Sequence, residues 1–263
     1  MTDEFELYKK TIARIYRGSD GAVVGSGFLV FNHHVLTCAH VIADALGIAR
    51  ATQDCPESLV ELDFPLLPWE QRQKVKARVV YWKPMSLEDT WIGKDDIAAL
   101  ELEENLVDNI FPIGLVMGKY AWNAFKVLGF PSGYDGGVWT KGELRDEVGN
   151  GQVQMTVLER SDYYVEGGFS GAPVWVETLN GVAGIMVAAE PAESEKRKQV
   201  KAAFMIPGEV LKECWCDLKT YIAEKSQSKI REFAVSQPSE ETQPSSLQQI
   251  AELLYLLDYK QQE

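Results

Sequence analysis

The sequence predicts an all-β fold, with helical periodicity only towards the C-terminus. Between about Thr11 and Ala203, short apolar or alternating runs rich in Val, Ile, Phe and Trp are separated by Gly, Pro, Asn-His and Asp-Gly turns. Clear examples are residues 27–31, 75–82, 125–130 and 182–187. Many short strands with turns between them favour a closed or sandwiched antiparallel fold over a parallel sheet with crossover helices. The 263 residues, 46% of them hydrophobic, suit one large domain with an appendage.

The periodicity of the sequence changes after Pro207. Apolar residues then recur at helical spacing on one face, at Val210, Leu211, Cys214, Trp215, Leu218, Tyr221 and Ile222. This stripe predicts a helix that packs on the strands preceding it. With that helix, the first predicted domain covers residues 1–224.

Residues 225–246 are interpreted as a linker, because the segment 236–245 is polar, contains proline and lacks large apolar side chains. Residues 247–263 then predict an amphipathic helix, for which Ser246 and Gln249 supply a capping box. Its apolar stripe consists of Leu247, Ile250, Leu253, Leu254 and Leu257. Two interpretations stay open: this helix folds back on the first domain, or it begins a second one.

Charge and cysteine content limit the partners and the compartment. The net charge of -13, from 26 basic and 39 acidic residues, disfavours a nucleic-acid partner because it does not neutralise phosphates. Residues 1–7 lack the apolar run of a signal peptide, and no stretch is long and apolar enough to span a membrane. The cysteines are too few and too irregularly spaced for a disulfide framework, at Cys38, Cys55, Cys214 and Cys216. We therefore expect a cytoplasmic protein that binds neither nucleic acid nor membrane.

Three residues in separate segments carry the chemistry. His40 lies in Leu-Thr-Cys-Ala-His-Val, Asp96 in Asp-Asp-Ile-Ala-Ala-Leu and Ser170 in Gly-Gly-Phe-Ser-Gly-Ala-Pro. A nucleophilic hydroxyl needs a base to take its proton and a carboxylate to fix the tautomer of that base. Each segment alone has a structural explanation, as a core histidine, the start of a strand or a glycine-rich loop. In this order, 56 and then 74 residues apart, they predict a catalytic triad.

These motifs, with glycines at 168 and 171 around Ser170, resemble those of the trypsin-like serine peptidases of the chymotrypsin fold. The resemblance implies two antiparallel six-stranded β-barrels followed by a C-terminal helix. The first barrel is expected to run to about Gly118 and to carry His40 and Asp96. The second is expected to run to about Pro207 and to carry Ser170, with a protein or peptide substrate bound in the cleft between them.

The resemblance also implies a role for each site residue. Ser170 attacks the scissile carbonyl, His40 transfers the proton, Asp96 orients His40, and the backbone N–H groups of Gly168 and Ser170 form the oxyanion hole. Asp95 is the alternative carboxylate, and Asp96 is preferred because the family's aspartate directly precedes the Ile-Ala pair. His33 and His34 lie between two strand-like runs as a turn without nearby Cys or His ligands, so we predict no metal and no cofactor.

The chain departs from the secreted members of this family at two positions. Phe169 stands where those members carry an aspartate that pairs with a newly cut N-terminus, and Val41 stands where they carry a disulfide-forming cysteine. We infer a bacterial cytosolic type that is not activated by N-terminal cleavage. The substrate pocket is expected at Tyr164, Val187, Ala188 and Ala189, which favours a small or apolar residue before the cleaved bond. A basic residue before the cleaved bond stays an alternative, since the carboxylates of Glu166 and Glu190 would attract it.

The segment 253–262 is similar to the opening of the small effector-associated, death-like adaptor domains that are fused to bacterial proteases. This likeness implies a regulated effector protease in a bacterial signalling or defence pathway, with an adaptor or sensor protein bound through the C-terminal segment. The alternative is a catalytically latent or pseudo-protease that acts as a binding or scaffold module. An esterase on the same fold is a third hypothesis.

Overall fold

The computed structural model describes residues 4–85, 95–103, 110–157, 165–188 and 203–224. Over these ranges, twelve strands form two closed antiparallel barrels. The first barrel has the strand order β1-β2-β3-β6-β5-β4. Its strands are β1 (Ile12–Tyr16), β2 (Val23–Phe31), β3 (His34–Thr37), β4 (Val60–Asp63), β5 (Val75–Lys83) and β6 (Ile97–Leu102).

The second barrel has the strand order β10-β11-β12-β9-β8-β7. Its strands are β7 (Ala124–Gly129), β8 (Val138–Glu147), β9 (Val153–Val157), β10 (Pro173–Val176), β11 (Gly181–Ala188) and β12 (Ala203–Pro207). The predicted all-β architecture of two antiparallel six-stranded barrels, matching the chymotrypsin fold, is therefore confirmed.

Each barrel closes around side chains from its inward-facing strand positions. In the second barrel this core includes Phe125, Val127, Leu144, Val174 and Met205, together with Phe169 from the loop before β10. β2 is buried at every position from Gly25 to Phe31, because it lies between its own barrel and neighbouring chain segments. A Cβ at position 25 would lie 2.6 Å from Val41 and 3.2 Å from the Ser170 carbonyl oxygen. Glycine at this position therefore lets β2 approach the Ser170 loop.

The sequence did not predict two short helices of the structure, since it predicts helix only after Pro207. α1 (Glu4–Thr11) precedes β1 and buries Tyr8, and α2 (Ala39–Leu46) follows β3 and carries His40 in its first turn. α2 ends at Gly47, whose φ of 69° is the left-handed conformation that terminates many helices. Each helix has only eight residues, too few for helical periodicity to stand out in the sequence.

The region after Pro207 is helical but not as one helix. α3 (Gly208–Cys214) is followed by Trp215 in an extended conformation, and residues 216–224 are helical again. α3 packs on β11 and β12, as expected, whereas the Trp215 ring packs on the first barrel, 5.0 Å from Phe31 and 6.2 Å from Tyr81 between centroids. The predicted C-terminal helix on the second barrel is therefore present, but it covers less of the apolar stripe than expected because it is interrupted at Trp215.

Both barrels and α3 belong to one compact unit that ends at Tyr221, and a second unit begins at Ile222. The predicted linker at 225–246 and the predicted amphipathic helix at 247–263 lie outside the described residues. All four cysteines are free thiols. Over the described ranges, no helix has the length and apolar character needed to cross a membrane. His33 lies in the predicted turn, whereas His34 is already the first residue of β3.

Candidate active site

His40 and Asp96 form a hydrogen-bonded pair at the edge of the first barrel. The backbone N–H of His40 donates to Asp96 Oδ1 at 2.8 Å, and His40 Nδ1 lies 2.6 Å from Asp96 Oδ2. The Asp96 side chain is almost completely buried, while 12% of the His40 side chain is exposed. A buried carboxylate on one ring nitrogen fixes that nitrogen as the N–H donor and leaves Nε2 free to accept a proton.

The neighbouring carboxylate, Asp95, has a different partner. Asp95 Oδ1 lies 2.7 Å from Lys83 Nζ in a partly exposed ion pair. Asp96 itself has a φ of 67°, a left-handed conformation that is uncommon outside glycine but enriched in aspartate. This turn of the backbone directs the two adjacent aspartates to separate partners, and it is Asp96 that contacts His40.

Ser170 lies in the loop before β10, which packs directly against the segment that carries His40. The Gly171 N–H donates to the Met186 carbonyl at 2.8 Å, and the Cys38 thiol lies 3.6 Å from the same oxygen. The residues beside Ser170 and His40 therefore share one acceptor in β11. Among the contacts of the described residues, no hydrogen bond joins the Ser170 hydroxyl to His40 Nε2. Such hydrogen bonds are often long in unliganded enzymes and tighten when the substrate binds.

The loop presents two backbone donors beside the Ser170 side chain. Within the part of the chain that the structure describes, the N–H groups of Gly168 and Ser170 donate to no protein acceptor. Gly168 has a φ of 98°, and a Cβ there would lie 2.2 Å from the Phe130 carbonyl oxygen. Only glycine fits this position, where its backbone N–H is available to an anionic oxygen.

Phe169 is fully buried in the core of the second barrel. Its ring lies so close to Gly129 that a Cβ at position 129 would be 2.3 Å from it. The Phe169 N–H donates to the Glu166 carbonyl at 3.2 Å. Apolar packing thus holds Phe169 at the position where secreted members of the family carry an aspartate.

The Cys38 thiol lies close to the His40–Asp96 pair. Burial raises its pKa well above the usual value, and the charge of Asp96 raises it further, so the thiol stays protonated. Cys38, His40 and Asp96 each place one possible metal-ligand atom within 4.8 Å of the other two. Since both Asp96 oxygens already accept hydrogen bonds from His40, this donor set fits a proton-transfer pair better than a metal site. That the protein uses no metal stays a prediction.

The predicted substrate pocket is only partly described. Val187 is buried in β11, and the backbone of Ala188 pairs with Ala203 in β12. Tyr164 and Ala189 lie outside the described residues. Sequence reasoning missed Ser26, which contacts the Ser170 loop, and Tyr8, whose hydroxyl donates to the Pro173 carbonyl at the start of β10. The glycines that flank Ser26 within a strand were an available signal, because such glycines often mark the close approach of another backbone.

Two closed barrels with the His40–Asp96 pair on one and the Ser170 loop on the other define a peptidase of the chymotrypsin-fold class. Residues 25–185, more than half of the chain, match the family model described as "Trypsin-like peptidase domain". The chain belongs to the trypsin-like peptidase family.

Solved structures agree with this fold. The chain is similar to a serine-to-alanine mutant of Rv3671c from M. tuberculosis H37Rv in its inactive form, with 18% identity, a TM-score of 0.52, and coverage of 82% of this chain and 91% of that one. The MamO protease domain from Magnetospirillum magneticum is 15% identical, with a TM-score of 0.52 and coverage of 79% and 96%. A serine endoprotease from Yersinia pestis is 18% identical, with a TM-score of 0.51 and coverage of 87% and 66%. No curated protein sequence matches the chain.

Proposed function

We propose that this protein is a serine endopeptidase in which Ser170, His40 and Asp96 form the catalytic triad. The observation that carries the proposal is the double hydrogen bond between His40 and buried Asp96, which leaves Nε2 of the histidine free beside the Ser170 loop. The trypsin-like family of the chain supports peptide-bond hydrolysis as the reaction.

The proposed reaction proceeds through an acyl-enzyme. Ser170 Oγ attacks the carbonyl carbon as His40 Nε2 takes its proton, and the resulting oxyanion accepts hydrogen bonds from the N–H groups of Gly168 and Ser170. His40 then donates the proton to the leaving amine, and the C–N bond breaks. A water molecule, deprotonated by His40, hydrolyses the acyl ester and regenerates the Ser170 hydroxyl. Asp96 holds the Nδ1 proton and stabilises the imidazolium that forms in both steps.

The substrate is a protein or peptide with a small or apolar residue before the cleaved bond. This preference follows from the residue types at Tyr164, Val187, Ala188 and Ala189, and no metal or cofactor takes part. The net charge of -13 argues against a nucleic-acid partner. The four free cysteines support a cytoplasmic location, where thiols stay reduced.

A regulatory role belongs to the same proposal. Residues 1–224 are the peptidase domain, 225–246 the linker and 247–263 the start of an adaptor module, through which a sensor or adaptor protein of a bacterial signalling or defence pathway controls the enzyme. The resemblance of residues 253–262 to effector-associated domains supports this role. Equal labelling rates for the full chain and a chain ending at Glu224, with the probe described below, would contradict control by this segment.

A second candidate is a catalytically latent protein that acts as a binding or scaffold module. The specific observation in its favour is the missing hydrogen bond between the Ser170 hydroxyl and His40 among the described residues. The two free oxyanion donors favour the active enzyme, since a scaffold has no physical need for them.

A fluorophosphonate probe tests the proposal, because it reacts covalently with activated serines. The purified protein and its Ser170→Ala variant are incubated with the probe, and labelling is measured by intact mass. We expect one label on the parent and none on the variant, with equal melting temperatures. Failure to label the parent would favour the latent module, and labelling of both would place the reactive serine elsewhere.

A further inference from the structure

Ser26, in β2 of the first barrel, contacts both proposed oxyanion donor residues of the second barrel. Ser26 is fully buried. Its hydroxyl donates to the Gly168 carbonyl oxygen at 2.9 Å, and its backbone N–H donates to the Ser170 carbonyl oxygen at 2.9 Å. Ser26 thus binds the carbonyls of the same two residues whose N–H groups are the proposed oxyanion donors.

Ser26 is itself held from the segment that carries His40. Thr37 Oγ1 donates to the Ser26 carbonyl oxygen at 2.6 Å, and Thr37 ends β3, three residues before His40. The backbone N–H, the carbonyl and the hydroxyl of Ser26 are therefore all used in this network. Through these bonds, the His40 segment is connected to the Ser170 loop.

The close approach of the two backbones depends on the glycine at position 171. A Cβ there would lie 2.1 Å from the Ser26 carbonyl oxygen and 2.4 Å from Thr37 Oγ1. The contact between Ser26 and the loop is thus a tight backbone junction, in which a small displacement of β2 would move the loop.

The Gly168 carbonyl has two donors, one from each barrel. The Phe130 N–H of the second barrel donates to it at 3.0 Å, and the Ser26 hydroxyl supplies the other hydrogen bond. Without that hydroxyl, Gly168 is held by its own barrel alone. Glycine has several backbone conformations of similar energy besides the φ of 98° that Gly168 adopts. Without the Ser26 hydroxyl, the Gly168 N–H is therefore not held in a single direction.

We propose that Ser26 is a positioning residue that sets the direction of the Gly168 and Ser170 N–H groups relative to His40. The proposal rests on the proposed function, since it assigns these N–H groups to the oxyanion. It also predicts a local change in the loop that is measurable without any catalytic activity.

The test compares Ser26→Ala with Thr11→Val in the full chain. Thr11 is equally buried and its hydroxyl donates to the Tyr8 carbonyl within α1, so Thr11→Val removes a buried hydroxyl without contacting the loop. Two quantities are measured for each: amide hydrogen exchange in residues 167–172, and the rate of fluorophosphonate labelling as a function of pH.

For Ser26→Ala we expect faster exchange in residues 167–172 and labelling slower by about ten- to a hundredfold, because misdirected donors lose transition-state stabilisation. The pH at half-maximal labelling stays unchanged, since the His40–Asp96 pair is intact. Thr11→Val changes neither quantity. Unchanged loop exchange in Ser26→Ala, or a labelling loss no larger than that of Thr11→Val, would overturn the proposal. An unlabelled parent would contradict the proposed function, and loop exchange alone would then decide whether Ser26 holds the loop.

Discussion

Asp96 accepts two hydrogen bonds from one residue, His40, through its backbone N–H and its imidazole Nδ1. This arrangement fixes both the position of the α2 start and the tautomer of the ring. We predict that Asp96→Asn lowers the fluorophosphonate labelling rate by about 10³–10⁴-fold, because an amide favours the wrong imidazole tautomer.

Asp95→Asn is the matched control for that substitution. It changes the adjacent residue in the same way but affects only a partly exposed ion pair with Lys83. Exposed ion pairs contribute at most about 1 kcal/mol, so labelling and melting temperature should stay close to those of the parent. A strong loss of labelling in Asp95→Asn and none in Asp96→Asn would reverse the assignment.

Gly168→Ala should damage both the loop and its chemistry. The added methyl lies 2.2 Å from the Phe130 carbonyl oxygen, and alanine is strained at a φ of 98°. We expect about 1–3 kcal/mol lower stability from the strain and about a hundredfold slower labelling from the displaced donor. Gly167→Ala is the control, since a Cβ at position 167 meets nothing within 4 Å. Denaturant melts and labelling rates measure both, and equal effects at the two positions would argue against an oxyanion role for Gly168.

Tyr8→Phe should destabilise the protein at the start of β10. The buried Tyr8 hydroxyl donates to the Pro173 carbonyl at 2.9 Å, and burial raises the pKa of this hydroxyl, which keeps it a donor. Its removal leaves a buried carbonyl without this partner, at a cost of about 1–3 kcal/mol. The free energy of unfolding in urea measures the effect. A change below a few tenths of a kcal/mol would show that α1 contributes packing alone.

We predict that His34 makes the folding stability of the protein sensitive to acid. Among the described residues, no partner hydrogen-bonds the buried Nδ1 of His34. Burial lowers the pKa of the imidazole, and His33 acts in the same direction, whereas Glu101, Asp217 and the Phe31 backbone oppose this shift. The unfolded chain therefore binds a proton more readily, so stability falls as the pH drops below about 6.5 and through the lower folded-state pKa. His34→Phe should lose less stability than the parent between pH 7.5 and 5.5 in thermal melts. Parallel losses would assign the acid sensitivity to other groups.

The residues of the candidate triad could be predicted because their chemistry restricts the residue types locally. His40, Asp96 and Ser170 each stand in a short motif, and strands such as β2 and β11 show their apolar patterns directly in the sequence. The choice of Asp96 over Asp95 depended on the resemblance to the family, since residue type and spacing do not distinguish two adjacent aspartates. The structure separates them through the left-handed backbone at Asp96.

The missed features are those that depend on long-range contacts. The hydroxyl of Ser26 and the Gly168 carbonyl are 142 residues apart in the chain, and Tyr8 and Pro173 are 165 apart. Such pairs leave no periodic pattern in the sequence. The break at Trp215 is a further example, because the helical stripe is continuous in the sequence while the Trp215 ring packs on the distant rings of Phe31, His34 and Tyr81.

The ring of Phe169, inside the second barrel, determines which perturbations can move the adjacent Ser170, the proposed nucleophile. An ionic lock at this position would weaken with salt and titrate with pH. A phenylalanine in a close-packed core responds to neither, and it moves only when the surrounding apolar side chains rearrange. Ionic strength should therefore have little effect on the conformation before Ser170, whereas hydrostatic pressure or an apolar ligand in this core should shift it.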